Sequence, residues 1–195
     1  MKSLLIKYEI KEGIGINYRL LPESHDIRNK FFDTFITPYA EFSDTHKEWI
    51  SAMLEKHGMK FDEKFYSEMF MWDRITKNDR VISFADALRL LRDKPGEVLF
   101  LTEAPECHSY DGCKLSKESE SVATTPAKDL ADCISYEWFT AYELYEQNCY
   151  LDNRILPDDL YIFDRSFTWC LVFTHETDES ESAESRLCIY VDKNS

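Results

Sequence analysis

Five glycines in 195 residues are too few to suggest a glycine-rich phosphate cradle or a dinucleotide-binding turn. Gly13-Ile-Gly15 comes nearest, but Tyr18 stands where a third glycine belongs, and the flanking pattern is that of a hairpin. Positive charge is also scarce. The 23 Lys and Arg residues face 37 Asp and Glu, and the net charge of −14 opposes capture by nucleic acid or by an anionic membrane leaflet. No apolar run approaches the roughly 18 residues of a membrane span, and the opening Met1-Lys-Ser-Leu-Leu-Ile-Lys7 returns to charge too soon for a signal-peptide core. These absences predict a cytoplasmic protein that binds neither membrane nor nucleic acid, with its six cysteines reduced. A linker rich in Gly, Ser and Pro is missing as well, so residues 1–195 read as a single domain.

What the chain does have is core material: 44% hydrophobic and 14% aromatic residues. Leu4 to Ile10 and Ile14 to Leu21 read as an opening hairpin. Helical spacing follows from Ser24 through Ile27, Phe31, Phe32, Phe35 and Ile36, then from Ser43 with Trp49, Ile50, Met53 and Leu54 inward. A third helix is expected over Phe61 to Phe70. Ser83 and Asp86 form a capping pair ahead of Phe84, Ala87, Leu88 and Leu91, and Lys94-Pro95-Gly96 ends that helix. Val98 to Leu101 is a short apolar run, the mark of an interior strand. Residues 103–125 look like a long, mobile surface loop, after which Thr125-Pro126 starts a helix and Ser135 caps a longer one. Strands over Leu160 to Phe163, Phe167 to Thr174 and Arg186 to Val191 complete an α+β fold, a mostly antiparallel C-terminal sheet packed against several amphipathic helices.

Strand alternation puts Phe167, Trp169, Leu171, Phe173 and His175 on one face and Thr168, Cys170, Val172, Thr174 and Glu176 on the other. His175, at the end of a rigid strand beside Glu176, is the best candidate general base; the plainer role is a hydrogen-bonded residue that fixes a loop. Asp164 is a catalytic candidate of the same kind, against the plainer role of shaping the turn, where Arg165 would pair across the hairpin. Cys170 and Cys188 lie among acidic neighbours that do not favour a thiolate. Cys107, His108 and Cys113 have spacing too wide for a structural zinc site, so neither metal nor cofactor is expected. Arg74, Lys77 and Arg80 form one basic group, suited to a phosphate or, more simply, to a helix C-terminus.

The pattern Asp164, Trp169, Thr174, His175, Glu176 resembles a strand found in a group of small bacterial proteins, similar in size and acidity to cytosolic immunity proteins that neutralise toxins. The resemblance spans residues 60–191, is carried by 161–176, and brings no catalytic residues with it. The segment Thr177 to Ser185 is longer than the short turn that resemblance implies. The expected function is a non-enzymatic binding module of this immunity-like kind, in which Glu176, Asp178, Glu179, Glu181 and Glu184 meet a basic protein such as a toxin. Two alternatives stand beside it: an enzyme with a site near His175 and Glu176, and a homodimer formed through a sheet edge at Leu187 to Val191.

Overall fold

The computed structural model describes residues 16–37, 43–56, 71–75, 79–102, 122–146, 156, 159–178 and 182–194. Among these, seven strands form one sheet: β1 (Arg19–Leu20), β2 (Asp79–Ile82), β3 (Glu97–Thr102), β4 (Ala123–Pro126), β5 (Leu160–Phe163), β6 (Trp169–Thr177) and β7 (Arg186–Asp192). Their order is β1-β4-β3-β5-β6-β7-β2, and every neighbouring pair is antiparallel. Four helices accompany them: α1 (Ser24–Phe35), α2 (Asp44–Glu55), α3 (Phe84–Arg92) and α4 (Ala127–Glu146). The fold is α+β.

The central strands are apolar at successive positions, so the sheet has two faces to bury. One face carries Val98, Phe100, Leu160, Ile162, Trp169, Leu171 and Phe173, and packs against Phe84, Leu88 and Leu91 of α3 and Leu130 and Ile134 of α4. The opposite face carries Leu99, Leu101, Tyr161, Phe163, Cys170 and Val172, and packs against Phe31, Phe32 and Phe35 of α1 with Met71 and Ile75. All four residues of β5 are buried, which is what a helix layer on each side requires. Phe31 joins α1 to the sheet through ring contacts with Tyr161 at 6.0 Å and Phe163 at 4.8 Å between centroids.

Local signals set several boundaries. The Ser83 hydroxyl accepts from the Asp86 amide at 3.1 Å and opens α3, whose last turn carries Arg89 and Arg92 where the helix dipole favours cations. Gly96 turns the chain into β3 at a φ of 75° that only glycine adopts freely.

Other boundaries correct the sequence reading. Thr125-Pro126 closes β4 and a helix does follow at once, but it is α4, which runs unbroken from Ala127, and Ser135 lies inside it instead of capping a second helix. The polar loop expected to reach residue 125 therefore ends sooner, because Ala123–Pro126 inserts between β1 and β3. Its threonines look like loop residues in sequence. Buried, they satisfy their hydroxyls on backbone carbonyls, Thr124 on Val98 at 3.0 Å and Thr125 on Asn17 at 2.8 Å. Residues 103–121 of that loop, the expected helix over Phe61 to Phe70 and the first hairpin strand, Leu4 to Ile10, lie outside the described residues. Of Ile14 to Leu21, Arg19–Leu20 is strand, and its partner is β4.

Trp49, expected to face inward, is 60% exposed, while its neighbour Ile50 is buried. Phe167 also departs from the alternation. Its φ of 57° closes the turn after Asp164, which moves the ring to the α1 side, 5.3 Å from Phe163 and under the Lys30 ammonium. Finally, Leu187 to Val191 is no sheet edge, because β2 pairs with β7 on its outer side, and the dimer contact expected there is overturned.

The double-sided core predicts an unequal response to truncation. Phe31→Ala should cost about 3–5 kcal/mol in urea-induced unfolding, whereas Trp49→Ala should stay within about 0.5 kcal/mol of the parent.

Candidate functional site

The region around His175 is built on a defect in the sheet. β6 and β7 pair in one register up to Phe173 opposite Cys188 and resume with Thr177 opposite Arg186, so Thr174, His175 and Glu176 lie against the single Leu187. The backbone groups that the ladder gives up find side chains instead. The Arg186 Nε donates to the Thr174 carbonyl at 2.6 Å, the Thr174 hydroxyl donates to the Leu187 carbonyl at 2.9 Å, and the His175 amide donates to Asp159 Oδ1 at 2.8 Å. Asp159 stands immediately before β5, on the other flank of β6.

The same Asp159 carboxylate holds the His175 ring, with Nδ1 at 2.9 and 3.1 Å from its two oxygens. The Glu176 Oε1 lies 3.4 Å from Nε2. Trp72 meets the ring edge-on at 6.2 Å, and Trp72 packs on the α1-side core although Phe173, two residues before His175, belongs to the α3/α4 side. The irregular segment thus changes the face on which His175 was expected. Side-chain exposure is 11% for Asp159, 32% for His175 and 47% for Glu176, so the cluster runs from a buried carboxylate to an open one. Only an imidazolium donates from both nitrogens, and both nitrogens here face carboxylates.

Asp159 was not among the candidates that the sequence offered. The signal that would have found it is register: with Leu160 opposite Phe173, Asp159 comes level with the start of the irregular segment.

The remaining candidates are placed apart from this cluster. The Asp164 carboxylate accepts from the Thr168 amide at 2.7 Å, the Thr168 hydroxyl at 2.8 Å and the Trp169 amide at 3.2 Å, and so organises the β5–β6 turn. Arg165 reaches Glu23 at 3.9 Å instead of pairing across the hairpin. Buried Arg74 donates to the Thr37 carbonyl just past α1, while Arg80 lies over the Tyr190 ring, so the two do not act as one basic group; Lys77 is outside the described residues. Cys107, His108 and Cys113 are outside them too. Among the described residues, no three His, Cys, Asp or Glu side chains are arranged to hold a metal ion, and no helix is long and apolar enough to cross a membrane.

Of the five acidic residues expected at a partner surface, Glu176, Asp178 and Glu184 are exposed, and Glu179 and Glu181 lie outside the described residues. Their connection is tied down at several points. The Asp178 amide donates to the Ser185 carbonyl at 2.9 Å, Ser182 and Ser185 exchange hydrogen bonds, and the Trp138 indole donates to the Ala183 carbonyl at 2.7 Å. Beneath it, the buried Arg186 guanidinium stacks 4.1 Å from the Trp138 ring centre, near Phe84 and Phe173. A small cavity of about 20 Å³ lies beside Arg186, Trp138 and Glu137, whose carboxylate accepts from the Leu156 amide at 2.9 Å.

Burial suppresses the thiols. It pushes Cys188 up to about 12 against the opposing pull of Arg186, and raises Cys170 well above the ordinary range with help from Asp164. Cys133 is raised by burial and by Glu137. Cys133, Cys170 and Cys188 should therefore resist iodoacetamide at pH 8 in the native protein and react once it is unfolded, as peptide mass mapping would show. The folded state holds these protons more tightly than the unfolded state, so their stabilising effect is full below the free-thiol range near 9. It should decline as pH rises from there toward about 12, measured as a falling urea midpoint. Comparison of the chain with protein-family models, with curated proteins and with solved structures finds no match, so the functional reading rests on the residues themselves.

Proposed function

We propose that the chain is a non-enzymatic binding module, immunity-like and at home in a bacterial cytoplasm, that meets a basic protein such as a toxin with the acidic connection between β6 and β7. The observation that carries this reading is the state of that connection at its described residues: Glu176, Asp178 and Glu184 are exposed, and the backbone at Asp178 and at Ser182–Ser185 is anchored to α4 and to itself. A charged surface already ordered before binding loses little conformational freedom on association. The −14 charge of the chain adds long-range attraction for a cationic partner, which speeds encounter more than it deepens affinity.

A second reading has one specific observation in its favour. The Asp159–His175 hydrogen bond resembles the way a carboxylate orients an imidazole for general-base work, and would suit an enzyme with its site at His175 and Glu176. The position of Glu176 weighs against it, because Glu176 lies at Nε2, where such a base would have to meet a substrate proton.

Pull-down from a bacterial lysate at low and at moderate salt, with the parent chain and a Glu176→Lys/Glu184→Lys variant, tests the first reading. A basic partner should be captured by the parent, and the variant's association rate at low salt should fall about tenfold. Recovery of no basic protein at either salt, or equal capture by both chains, contradicts it.

A further inference from the structure

We infer that His175 is a proton-operated latch on the acidic connection, holding Glu176 against the sheet when the ring is charged and releasing it when the ring is neutral. An imidazolium carries two N–H groups, and here Nδ1 faces Asp159 at 2.9 Å and Nε2 faces Glu176 at 3.4 Å. Removing one proton leaves one N–H for two carboxylates.

Which carboxylate keeps it follows from burial. Asp159 is the more enclosed of the two, it sits at hydrogen-bonding distance from Nδ1 through both oxygens, and it already accepts the His175 backbone amide. The remaining N–H therefore stays on Nδ1. The Nε2 lone pair then points at the Glu176 carboxylate, acceptor against acceptor, and the half-exposed Glu176 turns into solvent, where water solvates its charge. One positive charge disappears and one carboxylate comes free at the same place.

Each described element packed near the ring brings charged groups of its own. The segment before β5 brings Asp159 and β6 brings Glu176. β7 brings Arg186, whose Nε is engaged with the Thr174 carbonyl and whose guanidinium stacks on Trp138. The turn at Met71–Arg74 brings the uncharged Trp72 to the ring, with Asp73 exposed and Arg74 donating to Thr37. The change in ring charge thus acts first on Glu176.

The latch belongs to the fold and needs no partner. Its consequence, a more negative docking surface above neutrality than below it, rests on the reading of that connection as a binding surface.

NMR of the full chain between pH 5 and 9 tests the latch without any partner. The ring resonances of His175, assigned through a His175→Gln variant, should move together with the chemical shifts of the Glu176 side chain and of the Glu176 and Thr177 amides as pH is changed. In a Glu176→Gln variant the ring midpoint should move to lower pH by about 0.2–0.7 unit, the size expected of a half-exposed ion pair. Glu176 signals that ignore the ring titration, or a midpoint unmoved by Glu176→Gln, overturn the inference. Capture of a basic partner that proves independent of pH while the latch titrates as described would count against the docking surface and not against the latch.

Discussion

A single carboxylate bridges the break in the sheet. Where β6 carries three residues against one on β7, the regular exchange of backbone hydrogen bonds fails, and Asp159 enters from the neighbouring flank to accept the stranded His175 amide. Arg186 enters from the other side to bind the Thr174 carbonyl. The two ionic side chains thus replace ladder bonds with charge-assisted ones, which are shorter and stronger than neutral pairs. The orientation of His175, the position of Glu176 and the path of the acidic connection all follow from that replacement. Without it, the chain between Phe173 and Thr177 would leave polar backbone groups against a buried core, at a cost of about 1–3 kcal/mol for each unsatisfied group.

The surrounding fold is rigid enough to make such a local arrangement matter. Helices cover both faces of the sheet, so β5 and most of β6 are enclosed, and the residues next to the irregular segment cannot shift to relieve it. Buried Arg186 illustrates the coupling. Its guanidinium stacks on Trp138, and Trp138 in turn holds the Ala183 carbonyl, so one pair of side chains links β7, α4 and the acidic connection. Ala183, next to the exposed Glu184, is consequently tied to the packed molecule.

The sequence showed the elements whose periodicity is strong and local. The aromatic stripe of α1, the capping pair of α3 and the apolar runs of β3, β5, β6 and β7 all carry their pattern within a few residues, and each forms about where it reads. What failed depends on partners distant in the chain. Ala123–Pro126 becomes a strand because β1 and β3 flank it, and β7 becomes interior because β2, a four-residue segment with little pattern of its own, pairs with it. His175 and Glu176 stood out in the sequence, but Asp159, the residue that binds His175, became visible only through the β5–β6 register. Asp164 looked equally chemical and is spent on a turn, since a carboxylate at a hairpin end meets free amides.

Asp159 is the group that fixes the base of the acidic connection. Amide hydrogen exchange at His175 reads this directly. In the parent protein the His175 amide should be protected like its neighbours in the sheet, and in Asp159→Ala, which removes the acceptor, its protection should drop at least tenfold while that of Leu171 and Val172 persists. Rapid exchange at His175 in the parent, or the same slow exchange in both proteins, would contradict it.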